Sequence, residues 1–88
     1  MRVTVISPER SLFSGDADAL VAPAFDGQVG ILPRHAPFMT LLAVEAGLLI
    51  VQHDGAVSRF RVSGGFLQVA EDTVRVVAGR AEVIAEGN

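Results

Sequence analysis

An all-β fold, arranged as a two-sheet antiparallel β-sandwich of about ten short strands, is what this sequence predicts. Three observations carry that expectation. Period-two alternation of apolar and polar residues, rich in β-branched side chains, recurs from one end of the chain to the other. Turn-forming residues separate the alternating runs. No window of about a dozen residues shows the 3.6-residue apolar spacing and caps of a surface helix. So many short strands stack in two layers, because a single flat sheet would leave one apolar face wet. A small closed barrel is the competing architecture. With 88 residues the chain has room for one core, so residues 1–88 form a single domain.

The strands fall in order near Arg2–Ser7, Ser11–Ser14, Ala17–Pro23, Gln28–Leu32, Phe38–Leu42, Gly47–His53, Val57–Ser63, Gly65–Ala70, Thr73–Ala78 and Ala81–Ala85. Ser7-Pro8-Glu9 and Gly15-Asp16 break the first three, and Phe25-Asp26-Gly27 reverses the chain before the fourth. Asp54-Gly55 is the strongest hairpin signal, expected as a type I′ turn with positive φ at both residues. Ser63-Gly64-Gly65 predicts a bend or bulge before Phe66, and Glu71-Asp72 the next tight reversal. Within Val57–Ser63, Phe60 and Val62 share one face while Arg59 and Arg61 share the other. Leu67, Val69, Val74 and Val76 extend the apolar face into the next two strands, and burying Phe60 contributes roughly 1.5–3 kcal/mol.

Composition removes several function classes. Cysteine is absent, so disulfides and thiolate metal sites are excluded. All seven basic residues are arginine, which excludes Schiff-base chemistry, the phosphate-loop lysine and the carrier lysine of biotinyl domains. A formal net charge of −3 has the wrong sign for a general nucleic-acid binder, so no nucleic acid is expected among the partners. The longest apolar stretches, such as Gly47 to Val51, are too short to cross a bilayer as a helix. Half the residues are hydrophobic, which is rich for so small a domain and leaves apolar surface for a partner to cover.

Catalytic constellations are not persuasive. His35 and His53 are far apart, whereas a jelly-roll metal enzyme needs two or three histidines and a carboxylate on one ion. Asp16 and Asp18 form a D-x-D pair, but Asp16 belongs to a Ser-Gly-Asp turn where local backbone bonding explains an aspartate. Ser63-Gly64-Gly65 lacks the G-x-S-x-G frame of a nucleophile elbow. Of the five phenylalanines, four sit at core-like strand positions and Phe25 is the exposed exception. The expectation is therefore a non-enzymatic interaction module without cofactor or metal. A small ligand-binding or metal-dependent jelly-roll protein is the alternative.

The most informative stretch runs from Gly27 to Pro37. Glycines at 27 and 30 permit positive φ or a close backbone approach, and prolines at 33 and 37 hold His35 in a stiff loop. A loop this constrained loses little entropy when a partner immobilises it.

That stretch, with its G-x-x-G-I-L-P-x-H-A-P pattern, resembles the signature loop of the F-type ATP synthase epsilon subunit (delta in mitochondria). Three other stretches match the N-terminal β-sandwich domain of that family in the same order: Val5 to Gly15, Gly47 to Val51, and Val62 to Ala78. The resemblance implies a rotor role in the central stalk of a proton-translocating ATP synthase. There this domain docks the gamma subunit to the c-ring and couples proton flow to ATP synthesis and hydrolysis. It implies a peripheral position on the cytoplasmic face of the energy-transducing membrane, without insertion. Carried over by position, Phe25, Asp26 and Gln28 would lie on the turn facing the c-ring. Arg34, His35 and Met39 would lie near the gamma contact. Arg34 stands where the family usually has glycine, so a different loop conformation and a new charged contact are expected there. The chain ends soon after the sandwich, and a short form without the family's C-terminal helical hairpin, its inhibitory arm, is expected.

Overall fold

The computed structural model describes residues 1–87, with side chains through residue 84. Seven strands form, β1 (Arg2–Ile6), β2 (Ser11–Ala24), β3 (Gly27–Ile31), β4 (Phe38–Leu41), β5 (Ala46–Gln52), β6 (Val57–Ala70) and β7 (Thr73–Gly87). There is no helix among the described residues.

Three of these strands are long and pass through both layers. The first half of β2 pairs with β1, and its second half pairs with β3 and β5. The first half of β6 pairs with β5 and the second with β4, while β7 follows β6 along its whole length. One layer therefore runs first-half β2, β1, first-half β7, second-half β6, β4. The other runs β3, second-half β2, β5, first-half β6, second-half β7. Because β1 pairs with both β2 and β7, the sheet closes on itself as a flattened barrel. Sandwich and closed barrel, the two architectures the sequence leaves open, meet in this one arrangement.

Counted by layer, the shared strands supply the ten segments read from the sequence. What the sequence misplaces is where the chain stops. Gly15-Asp16 is not a turn, and the bend expected at Ser63-Gly64-Gly65 occurs inside a continuous strand; at both places, and at Gly79-Arg80, the strand passes from one layer into the other without a break. Asp16 accordingly lies inside β2 rather than in a Ser-Gly-Asp turn. One pairing, β1 with β7, is parallel; on its other edge β1 pairs antiparallel with β2.

The core lies between the layers and follows the expected alternation. Val3 and Val5, Leu20 and Ala22, Leu48 and Ile50, Phe60 and Val62, Leu67 and Val69, and Val74 and Val76 are all buried. Phe13 meets Phe60 edge to face at 6.3 Å. Buried Ser58 accepts a 2.9 Å hydrogen bond from Gln52 Nε2, so no buried side-chain polar atom among the described residues lacks a partner.

The turns divide in their agreement with expectation. Glu71 and Asp72 both take positive φ (51° and 58°), as a two-residue reversal requires. Asp54-Gly55 does not form a type I′ turn. Only Gly55 has positive φ, and Gly55 N donates to Gln52 O at 3.0 Å while Gln52 N donates to Ala56 O at 2.8 Å. A three-residue loop with glycine at its left-handed position results. Gly30 keeps an ordinary φ with open space beside it, so only Gly27 of that pair (φ 133°) uses its freedom.

Candidate functional site

Phe25 and Asp26 form the tip between β2 and β3, and both are exposed. The tip is tied down rather than free. Phe25 N donates to Leu41 O at 3.0 Å and Ala43 N to Pro23 O at 2.8 Å, so β4 and the chain after it are stitched to the end of β2. Phe25 is 67% exposed, a large aromatic held on a tethered base and left uncovered by the described residues. Gln28 follows on β3, exposed and opposite Pro23. It borders a shallow apolar cavity of about 400 Å³ lined by Val21, Gly47, Leu49, Arg59 and Ile84.

Arg34 and His35 lie beyond the other end of β3, five strand residues away from the tip, or about 16 Å at the usual rise. His35 N donates to Leu32 O at 3.2 Å, closing a turn over Pro33 and Arg34. Arg34 takes φ 66°, a left-handed conformation that suits glycine. Its backbone N–H donates to Asp72 Oδ1 at 2.7 Å, while the guanidinium is left in solvent. His35 Nδ1 lies 2.8 Å from the Ala36 carbonyl oxygen, which can only accept, so Nδ1 carries the proton. In the neutral ring Nε2 is then an acceptor. Phe38 meets the imidazole edge to face at 5.8 Å.

Met39 sits on the outward face of β4, 60% exposed and paired with Gln68. Its neighbour on the same face, Leu41, belongs to a row the sequence reading missed. Leu41 pairs with Phe66, Phe66 with Val77, and Val77 with Ile6. An apolar band therefore crosses four strands on the outside of the molecule and ends beside Phe25. Val44, 75% exposed, stands just past β4. Only the β4 end of this band leaves a trace in the sequence: Met39 and Leu41 are apolar in the phase opposite to Phe38, so apolar side chains of β4 fall on both faces.

The six candidate residues thus separate. Phe25, Asp26 and Gln28 share one end, Arg34 and His35 the other, and Met39 lies on the outer face between them. Asp72, which fixes the Arg34 loop, was not picked out either. Nothing in the sequence links it to a residue 38 positions away.

Two further pairs join ionisable groups on the surface. His53 Nδ1 lies 3.3 Å from Asp18 Oδ1, both exposed, and Arg61 pairs with Glu82 at 3.3 Å. Exposed pairs of this kind contribute roughly 0–1 kcal/mol. Among the described residues no three His, Asp or Glu side chains converge as metal ligands.

Comparison with known proteins gives one consistent result. A sequence model described as "ATP synthase, Delta/Epsilon chain, beta-sandwich domain" matches residues 1–84. The chain is 43% identical over 82 residues to the ATP synthase epsilon chain of Roseiflexus sp. (strain RS-1), covering 93% of this chain and 58% of that protein. To the epsilon chain of Pelotomaculum thermopropionicum it is 40% identical over 81 residues, covering 92% and 59%. The chain therefore spans a little under three fifths of the length of these curated relatives. In fold it is similar to a chain of the Euglena gracilis mitochondrial ATP synthase structure containing OSCP, F1 and c-ring. That match has a TM-score of 0.84 at 22% identity, over 92% of this chain and 51% of that one. A chain of the Tetrahymena thermophila mitochondrial central stalk and c-ring structure matches with a TM-score of 0.72 at 20% identity, over 93% and 65%.

Proposed function

The chain belongs to the ATP synthase delta/epsilon β-sandwich family, and from that membership we propose that it serves as a central-stalk rotor subunit of a proton-translocating F-type ATP synthase. It is a non-catalytic part that docks the gamma subunit to the c-ring and helps couple proton flow to ATP synthesis and hydrolysis. Its place is peripheral, on the cytoplasmic face of the energy-transducing membrane; no helix among the described residues is long and apolar enough to cross one.

The observation that carries this reading is the outward apolar band of Ile6, Val77, Phe66 and Leu41, flanked by exposed Met39 and Phe25. A sheet closed by β1 has little freedom to flex, and an apolar band on its outside fits a surface that another chain covers. Stiffness with sticky surfaces is what an adaptor under torque needs. On this reading Phe25, Asp26 and Gln28 meet the polar loops of the c-ring. Arg34, His35 and Met39, together with the apolar band, meet gamma.

The test is co-purification of the 88-residue chain with separately expressed gamma subunit and with detergent-solubilised c-ring. Retention of the chain on immobilised gamma, weakened by Arg34→Glu or His35→Ala with the fold intact, supports the assignment. No retention on either partner would remove the rotor reading. One equivalent of tightly bound metal by elemental analysis would instead favour the jelly-roll alternative.

A further inference from the structure

Asp72 is where three separate pieces of chain are held together. Its Oδ1 accepts the 2.7 Å hydrogen bond from Arg34 N, and its Oδ2 lies 3.9 Å from the Met1 ammonium. Its own carbonyl accepts from Arg2 N at 3.1 Å. The residue stands at the second position of a two-residue reversal with φ 58°, a conformation that aspartate and asparagine tolerate better than most. The loop it grips contains Arg34 in a left-handed conformation, which a side chain other than glycine adopts only when its surroundings hold it there.

The other restraints on this loop are local. They are the His35 N to Leu32 O bond, the His35 ring bond to Ala36 O, and the ring contact with Phe38. These shape the loop internally, and the Phe38 contact anchors only its far end to β4. The Asp72 bond is the one that fixes the Arg34 turn to the β6–β7 side of the sandwich.

We propose that Asp72 is a positioning residue that holds the Leu32–Pro37 loop in the form presented to the gamma subunit. This rests on the assignment of Arg34 and His35 to that contact. A loop released from Asp72 samples other forms, and the apparent affinity for gamma falls by the fraction of time the presented form is kept. The requirement is for an acceptor at one place, not for charge. Asparagine keeps a carbonyl oxygen there and tolerates the same φ, whereas alanine keeps neither.

The experiment measures binding of the full 88-residue chain to immobilised gamma for wild type, Asp72→Ala, Asp72→Asn and Ile50→Val, alongside amide hydrogen exchange at Arg34. Ile50 is buried in the opposite layer and serves as a mildly destabilised control. Asp72→Ala is expected to exchange the Arg34 amide at least about tenfold faster and to bind gamma about tenfold more weakly. Asp72→Asn should stay within about twofold of wild type in both readouts, and Ile50→Val should keep wild-type affinity. Unchanged exchange at Arg34 in Asp72→Ala would overturn the clamp itself. Faster exchange with unchanged affinity would overturn the positioning role, while Arg34→Glu and His35→Ala still report on the contact surface. Should those two variants also bind normally, both the surface and the clamp's role in presenting it are refuted.

Discussion

Gly65 and Ala78 face each other across β6 and β7 so closely that a Cβ on Gly65 would lie 2.8 Å from the Ala78 Cα and overlap the Val77 carbonyl oxygen. Both strands bend from one layer into the other at this point, and Gly65 also takes φ 96°. Close approach and positive φ coincide at one residue, so no side chain is tolerated there. Gly65→Ala should destabilise by more than about 3 kcal/mol, a large fraction of the stability of a domain this small. Gly64→Ala, with φ 69° but open space around it, should cost only about 1–2 kcal/mol. Gly47→Ala, with an ordinary φ and open space, should be within about 0.5 kcal/mol of neutral or slightly stabilising. Urea unfolding of the three variants checks the order, and a mild effect at Gly65 would contradict the bend as described.

Arg34 makes a prediction of the opposite sign. It holds a left-handed conformation at φ 66°, where glycine would be unstrained. Relief of about 1–2 kcal/mol of backbone strain is partly offset by the larger entropy glycine loses on folding. Arg34→Gly should therefore stabilise the fold by about 0.5–1 kcal/mol, a rise in Tm of roughly 3–6 °C. Thermal unfolding followed by circular dichroism at 218 nm (about the β-sheet minimum) reads the change. Among the described residues this arginine makes no ion pair. Its guanidinium is in solvent, and its place in the structure is secured by its backbone N–H.

Strand phase was readable in the chain because it depends only on alternation. Phe60 and Val62 against Arg59 and Arg61, or Val74 and Val76 against Arg75, sort themselves by face with no knowledge of what lies opposite. Continuity was not readable. Glycine pairs look alike whether they end a strand or let it bend, and only the partner strand's register at Ser63↔Arg80 and Gly65↔Ala78 shows that the ladder persists. The same limit applies to the candidate surface. Exposed Phe25 was visible from its place in a turn. The row from Ile6 to Leu41 was not, since its four members come from four strands whose order no local pattern encodes.

Phe60 and Phe66 lie on opposite sides of the same strand, so equal truncations should have unequal consequences. Phe60 is fully buried and touches Phe13, so Phe60→Ala should cost about 3–5 kcal/mol by leaving a cavity. Phe66 is half-buried on the outer band, and Phe66→Ala should cost about 1 kcal/mol or less in stability while weakening gamma binding about tenfold or more. Denaturation and binding measured on the same samples separate the two. If Phe66→Ala left gamma affinity unchanged, the apolar band would not be the covered surface.

The spacing between the two ends of β3 makes the two proposed contacts separable. Phe25 stands about 16 Å along the strand from the Arg34 loop, beyond the reach of direct coupling between side chains. Phe25→Ser should accordingly reduce capture by the c-ring about tenfold and touch gamma binding only through the Leu41 end of the apolar band, while Arg34→Glu should weaken gamma binding about tenfold and leave c-ring capture within about twofold. In the double variant the two losses should add in free energy to within about 0.5 kcal/mol, because the Phe25 and Arg34 side chains are far apart and share no neighbour within the described residues. Strong non-additivity would mean that the sandwich deforms as a unit when either end is engaged. A closed sheet whose every long strand is paired on both halves is poorly suited to that, so additivity is the outcome its hydrogen-bonding pattern favours.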